Sequence, residues 1–571
     1  MPEYLAPGVY VEETSFRSKS IEGVSTSTTA FVGPTRKGPI FDPEAVNSLP
    51  PELITSFLDF ERIYGGVGEL TFGDAKWVNL VALAVDAYFN EGGSRLYVSR
   101  VFSKGDKTGI ASTEAVDGVS WSARTPGSGG NGEISFTLSS EAVSIRTAET
   151  APLGSLLKVP SADEHGEPTL YVKANDGWKP SEGEDGPEDI RAGSQLLTFT
   201  VEATDADGNR MTFEGLGFGA AHPRYVGKVL AQNPTSRREA LENAFAVTLT
   251  DAVTPFTLFD TLFADHAVNP VRLTTGDDGA EPDEQAYIKA LNPIARTDEV
   301  SIVAAPGHSA FTAREDIRNT LVSHGDADRS YRIVVLDAPP NQTISQAQEY
   351  RGQIDSSHAA LYYPWVQTSN PLARPGDMSQ PREILQPPSG FVCGIYARTD
   401  VQRGVYKAPA NEVVRGALRF ETDINSAEQA VLNPRGINCL RFFEGRGYRV
   451  WGARTASSDP EWKYVNIRRY FNYLERSIDR GTQWAVFEPN GERLWDNVRQ
   501  TINDFLYNEW VSGALLGGSP KEAYFVRCDR STMTQNNLDN GQLICLIGVA
   551  ALKPAEFVIF RIGQKTADAR S

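Results

Sequence analysis

Chemistry in a protein usually shows first in its histidines, cysteines and glycine-rich turns, and here all three are dispersed. The six histidines stand at His165, His222, His266, His308, His324 and His358. None forms an HxxxH pair and none sits beside a cysteine, so no zinc site is indicated. The four cysteines, Cys393, Cys439, Cys528 and Cys545, contain no CxxC spacing and read as buried thiols in a reducing compartment. Neither GxxxxGK[ST] nor GxSxG occurs, and GLGFG at 215–219 has no helix after it to complete a phosphate cradle. DADGN at 205–209 carries two spaced carboxylates like part of a calcium loop but lacks the downstream glutamate, so a hairpin turn is expected. His308 and Asp337 follow neighbouring strand-like runs and could be drawn as a base and its orienting carboxylate. The plainer reading makes His308 a loop residue. No catalytic set, no cofactor and no metal is expected.

Composition narrows the remaining classes. Of 571 residues, 55 are Lys or Arg and 73 are Asp or Glu, a net charge of −18. That argues against a general nucleic-acid binder, which needs basic surface to neutralise phosphates. Apolar residues make up 40% with 50 Gly and 34 Pro, a folded but loop-rich chain. No apolar run is long enough for a membrane-spanning helix, and no Sec-type leader is expected.

The elements that would position any site fall into three textures. Residues 23–104 read as α/β. TSTTAFVG (26–33) is strand-like, and 74–93 is expected to be a helix capped by Asp74, with Trp77, Val81, Ala84, Val85 and Tyr88 on one face. SRLYVSRVF (94–102) follows as a strand. Residues 105–273 are rich in Gly, Asp, Ser and Thr, with short alternating runs at 132–140, 195–203 and 209–215. They predict an inserted all-β, peripheral domain. Residues 274–552 return to α/β, with buried strands in 298–307, 330–340 and 358–365 and helices at 310–325 and 342–354. Two long helices close this part. One at 459–481 is capped by Asp459 with Pro460 at its first position and a stripe of Trp462, Val465, Phe471, Leu474 and Ile478. The other, at 492–518, carries Leu494, Trp495, Val498, Ile502, Phe505 and Trp510. The predicted fold class is an α/β core, mixed but mainly parallel, with flanking helices, built from 23–104 and 274–552 around the insertion.

The two ends are left over. Val9-Tyr10-Val11 is strand-like but sits behind Pro7-Gly8 on a polar tether reaching Glu22. Phe557-Val558-Ile559-Phe560 is strand-like between Pro554 and a polar tail. Residues 1–22 and 553–571 are therefore expected to be extended strand arms. With PEYLAPGVYVEE, GVSTSTTAFVG, PPSGFVCGIYARTDVQRGVYKAPAN (387–411), LNPRGIN (432–438), VWGARTASSDPEWKYVNIRRY (450–470), WAVFEPNGERLW (484–495), EAYFVRCD (522–529) and PAEFVIF (554–560), the chain resembles the tail sheath proteins of contractile phage tails and contractile injection systems. The resemblance runs through both ends and most of the C-terminal half, and is weak across 105–273.

The resemblance implies a structural subunit rather than an enzyme. It would be a helical homopolymer around an inner tube, meeting baseplate and tail-terminator proteins, without nucleic acid and without membrane insertion. It implies a virion tail or injection-system particle assembled in a bacterial cytoplasm. It also implies that both arms add strands to neighbouring subunits, a head-to-tail contact that generates filaments. Arg454, Arg468 and Arg469 are expected in internal or intersubunit ion pairs. The rival readings are a cytoplasmic α/β enzyme with a β-rich accessory domain and a static tail or surface-lattice protein.

Overall fold

A nine-stranded sheet draws its strands from both sides of the insertion. Its order is Glu52–Ile54, Leu96–Val101, Thr29–Pro34, Ile302–Ala304, Ile333–Asp337, Ala359–Tyr363, Ile437–Phe443, Gly447–Val450 and Glu412–Val413. The run from Leu96–Val101 to Ile437–Phe443 is parallel throughout, and the remaining strands at both edges pair antiparallel. The central strands are buried along their whole length, which is why Ile333–Asp337 and Ala359–Tyr363 read as continuous apolar runs. This computed structural model describes residues 20–41, 48–105, 108–161, 167–181, 193–264 and 266–559.

The helix expected from Asp74 begins later. Leu70–Phe72 and Ala75–Trp77 form a small hairpin, and the helix is Leu80–Asn90, capped by the Asn79 side chain on the Ala82 amide. Val81, Ala84, Val85 and Tyr88 are buried as expected, but Trp77 belongs to the hairpin. A second helix, Pro388–Arg403, lies against this one with unusually close backbones. A methyl group on Gly390 would sit 2.7 Å from Ala84 Cα, and one on Gly394 would sit 2.6 Å from the Tyr88 carbonyl oxygen. Those two glycines cost the helix propensity and are explained by that approach. Glu91, fully buried, closes the contact through the Arg398 guanidinium at 2.6 Å.

The insertion is β-rich rather than all-β. Gly132–Ala142, Leu156–Val159, Thr169–Ala174, Gly177–Pro180, Gln195–Asp205, Arg210–Leu216 and Val271–Leu273 make a seven-stranded sheet, and Val119–Ala123 pairs with Phe245–Leu249. The helix Pro255–Phe263 is an addition to the expected pattern. Its start is written in Thr254-Pro255, a side-chain cap followed by proline in the first turn, and it buries Leu258 and Leu262 in the module's core.

This module is joined to the parallel sheet by buried charge. DADGN forms the expected hairpin turn, and its Asp205 carboxylate accepts from the Asp207 and Asn209 amides at 3.0 and 2.9 Å. The same carboxylate holds Lys37 Nζ at 2.5 Å, with the two side chains 6% and 0% exposed. Arg36 pairs with Asp207 beside it. Arg100, enclosed by the Gly38 and Pro126 carbonyls at 2.8 and 2.7 Å, is pushed down to about 10 by burial. The root of the insertion is thus a desolvated ionic contact, not a loose tether.

Residues 466–552 depart from the expected division. The described residues separate into a larger unit, Thr26–Gln402 with Pro409–Val465, and a smaller one containing 20–25, Arg403–Ala408 and 466–559. The physical reason is that the last two long helices bury their apolar faces in a core of their own. Tyr470, Leu474, Trp495, Val498, Ile502 and Phe505 pack there with Ile21 and Tyr524. Helix Val465–Gly481 also starts later than predicted, because Asp459 and Pro460 open a separate 3-10 turn that contains Trp462.

Candidate assembly interface

No catalytic constellation forms at the positions where one could be drawn. His308 is fully buried in a short 3-10 turn; its Nδ1 meets the Ala305 carbonyl at 2.7 Å and its Nε2 has no partner among the described residues. Burial holds it down at about 4. Asp337 turns elsewhere, accepting from the Ser389 amide and hydroxyl at 2.7 and 2.6 Å. Burial raises its carboxyl to about 7. Among the described residues no group of three His, Cys, Asp or Glu side chains is placed to hold a metal, and no helix is long and apolar enough to cross a membrane.

The smaller unit offers a different kind of site. Helix Val465–Gly481 carries the roots of both chain ends. Near its C-terminus, Ile21 packs on Gly481, where a methyl group would sit 2.5 Å from Ile21 Cγ1, and Val24 donates its amide to Ser477 Oγ at 3.2 Å. At its N-terminus, Asn466 Nδ2 donates to the Leu552 carbonyl at 3.1 Å and to the Tyr406 carbonyl at 2.8 Å. Gly481 lies fifteen helical steps after Asn466, roughly 22 Å at 1.5 Å per residue. The two ends therefore root at opposite ends of one helix.

Among the described residues after Leu552, the apolar run 557–559 is uncovered. Phe557, Val558 and Ile559 are 71%, 67% and 78% exposed and belong to no ladder in the described residues. Phe560 and the N-terminal Val9, Tyr10 and Val11 lie outside the described residues.

The same unit holds a sheet of only two strands, Tyr524–Arg527 and Leu546–Val549. Tyr524, Val526 and Val549 face the helices, while Phe525 and Leu546 on the other face are 47% and 49% exposed. Phe525 lies over Gly548, where a methyl group would come within 2.2 Å of its ring. A two-stranded sheet is marginal by itself. Leu515 and Leu516 pair with Ala551 and Ala550 just past the second strand, but along 524–527 and 546–549 the outer edges are unpaired among the described residues, and such edges recruit further strands.

The arginines turn inward. Arg454, Arg468 and Arg469 are 6%, 5% and 4% exposed. Arg468 pairs with Glu475 of its own helix at 2.9 Å and with Asn472 at 2.8 Å, and Arg454 donates to the Asn433 carbonyl at 2.9 Å. These contacts are made within the subunit. Asn466 and the sheet's cross-strand neighbours went unread in the sequence, since nothing but tertiary packing singles them out.

Comparison with known proteins decides the family. Residues 280–456 match the phage tail sheath protein central domain, and 457–565 match the phage tail sheath C-terminal domain. The chain belongs to the phage tail sheath family. This tail sheath protein is 22% identical over 286 residues to the tail sheath protein of Vibrio phage KVP40, and 27% identical over 198 residues to that of Burkholderia phage BcepMu. Those stretches cover 48% and 32% of this chain and 41% of each relative. A prophage major tail sheath protein of Pseudomonas aeruginosa (strain UCBPP-PA14) is 26% identical over 46% of this chain and 64% of its own length. The curated matches thus span less than two thirds of each of these relatives. The fold is shared more widely. The anti-feeding prophage helical sheath in its contracted state superposes with a TM-score of 0.54 at 22% identity, covering 98% of this chain and 99% of that one. The contracted PVC sheath complex of an extracellular contractile injection system gives 0.52 at 22% identity, covering 99% of both chains.

Proposed function

We propose that this tail sheath protein is the structural subunit of a contractile sheath, which polymerises around an inner tube and contracts to drive that tube through a target cell envelope. The carrying observation is the rooting of both chain ends at opposite ends of helix Val465–Gly481, beside a two-stranded sheet with unpaired edges. Each subunit can then reach two neighbours and receive strands from two others. Such a mesh is head-to-tail and helical, and it persists while the larger units change their mutual packing.

In this reading the arms 1–22 and 553–571 are the couplers. Val9, Tyr10 and Val11 at one end, and Phe557, Val558, Ile559 and Phe560 at the other, add to the Tyr524–Arg527 and Leu546–Val549 sheet of neighbouring copies. Phe557, Val558 and Ile559 gain the cover they lack in one subunit. The inner tube, baseplate and tail terminator are the remaining partners, and the assembled particle is a phage tail or an injection system. Contraction draws on energy stored in the extended lattice and needs no nucleotide.

Electron microscopy of purified wild type and of a chain ending at Leu552 tests this. Wild type should form helical sleeves and the truncated chain only folded, dispersed subunits. Normal sleeves from the truncated chain would refute the coupling role.

A further inference from the structure

Two of the four scattered cysteines are brought together by strand pairing. The ladder runs Tyr524–Val549, Phe525–Gly548, Val526–Ile547 and Arg527–Leu546 and ends there; its register, continued by one step, would set Cys528 opposite Cys545. Directly opposed residues of an antiparallel pair have Cα atoms about 4.5–5.5 Å apart, inside the roughly 4.4–6.8 Å that a disulfide spans. Both side chains join one apolar core, Cys528 at 1% exposure and Cys545 half-buried. The two thiols act on each other's protonation, which lowers Cys528 and raises Cys545.

The loop between them is tied down. Thr532 Oγ1 donates to the Ile544 carbonyl at 2.8 Å, Met533 is buried, and Leu538 and Leu543 pack on the same core. These contacts hold the two ends of the 529–544 loop at the same core. Cys393 and Cys439 are fully buried in the larger unit and serve as internal controls.

We propose that Cys528 and Cys545 form a reversible dithiol–disulfide site that locks the end of the two-stranded sheet, with a low-molecular-weight disulfide as oxidant. Cys528, the more readily ionised thiol, loses its proton to solvent and takes up that of Cys545, the accessible member, whose sulfur attacks the small disulfide. One thiolate leaves and takes up a proton. Cys528, deprotonated in turn, attacks Cys545 Sγ and expels the second small thiol. Two protein S–H bonds are lost, one protein S–S bond forms, and the small disulfide is reduced to two thiols. The new bond closes the 529–544 loop and restrains the unfolded chain. It stands on the geometry of a single subunit, whatever strands join the sheet.

The native full-length protein is incubated with oxidised glutathione, then denatured for thiol counting and peptide mapping. Thiols should fall from four to two, with one cross-linked peptide pair joining Cys528 and Cys545 within a chain. Dithiothreitol should restore all four, and the oxidised form should unfold at a higher urea concentration. Cys528→Ser should stop at a single glutathione adduct on Cys545. Four surviving thiols, a wild-type reaction that halts at the mixed disulfide, or a cross-link between chains would overturn the proposal. The wild-type mapping is decisive even if the serine variant does not fold.

Discussion

Replacing Asp205 by alanine should destabilise the larger unit more than any surface change, because it strands a buried ammonium. The Asp205 side chain is fully buried and Lys37 nearly so, with 2.5 Å between their charged atoms. Removing one partner of such a pair costs about 3–5 kcal/mol. The carboxylate also receives the Asp207 amide, the Asn209 amide and Asn209 Nδ2 at 2.9–3.0 Å, each worth about 0.5–1.5 kcal/mol. Asp205→Ala loses both contributions. Asp205→Asn keeps Oδ1 for the two turn amides but replaces Oδ2, which accepts from Lys37 and Asn209 Nδ2, by a donor, so its cost should be smaller only by the amide bonds, near 3 kcal/mol. Lys37→Met combined with Asp205→Asn removes both charges, keeps the turn, and should come within about 1 kcal/mol of wild type. Urea unfolding followed by the fluorescence of Trp121 and Trp178, with limited proteolysis of the insertion as a second readout, measures the series. The reasoning is refuted if Asp205→Ala costs under about 1 kcal/mol, or if the double variant is no more stable than Lys37→Met alone.

The arms give a contrasting expectation. A chain ending at Leu552 loses Phe557, Val558 and Ile559, which are about 70% exposed, so its melting temperature should match wild type while sleeve formation is lost. Four or five strand bonds at about 0.5–1.5 kcal/mol each make a few kcal/mol per junction. Val558→Pro, which deletes one donor, should weaken assembly with little effect on the subunit, read by sedimentation. Asp337 makes a pH prediction. Its folded value, about 7, lies above the ordinary 3.8, so its contribution is complete below about 4 and lost as pH rises through 7. Asp337→Asn should therefore flatten the fall in stability between pH 5 and 8 by up to about 3 kcal/mol in urea titrations, and an unchanged slope would count against it. Excising 110–273 together with Lys37→Met should leave a better-folded remainder than excision alone, judged by melting, since Lys37 otherwise loses Asp205.

Local signals reached far into this chain. The continuous apolar runs at 333–337 and 359–363 could only be buried strands, and Thr254-Pro255 marks a helix start that a composition-led reading of the insertion passed over. The apolar character of Phe557-Val558-Ile559 was legible because it is a property of a few neighbouring residues, whereas the strand expected there is not formed within the described chain. What depended on partners distant in sequence was not legible. Nothing local distinguishes Asp205 of an ordinary turn from Asp205 as the counter-ion of Lys37, and nothing local gives Glu475 to Arg468 rather than to a neighbouring subunit. Cys528 and Cys545 looked isolated because their relation is set by strand register, which only the packing of Tyr524 and Val526 onto the final helices fixes. Sequence by itself determined the elements, since these follow from propensity and periodicity. Tertiary structure decided the buried pairs, because the energy of a desolvated charge or thiol depends on what meets it across space.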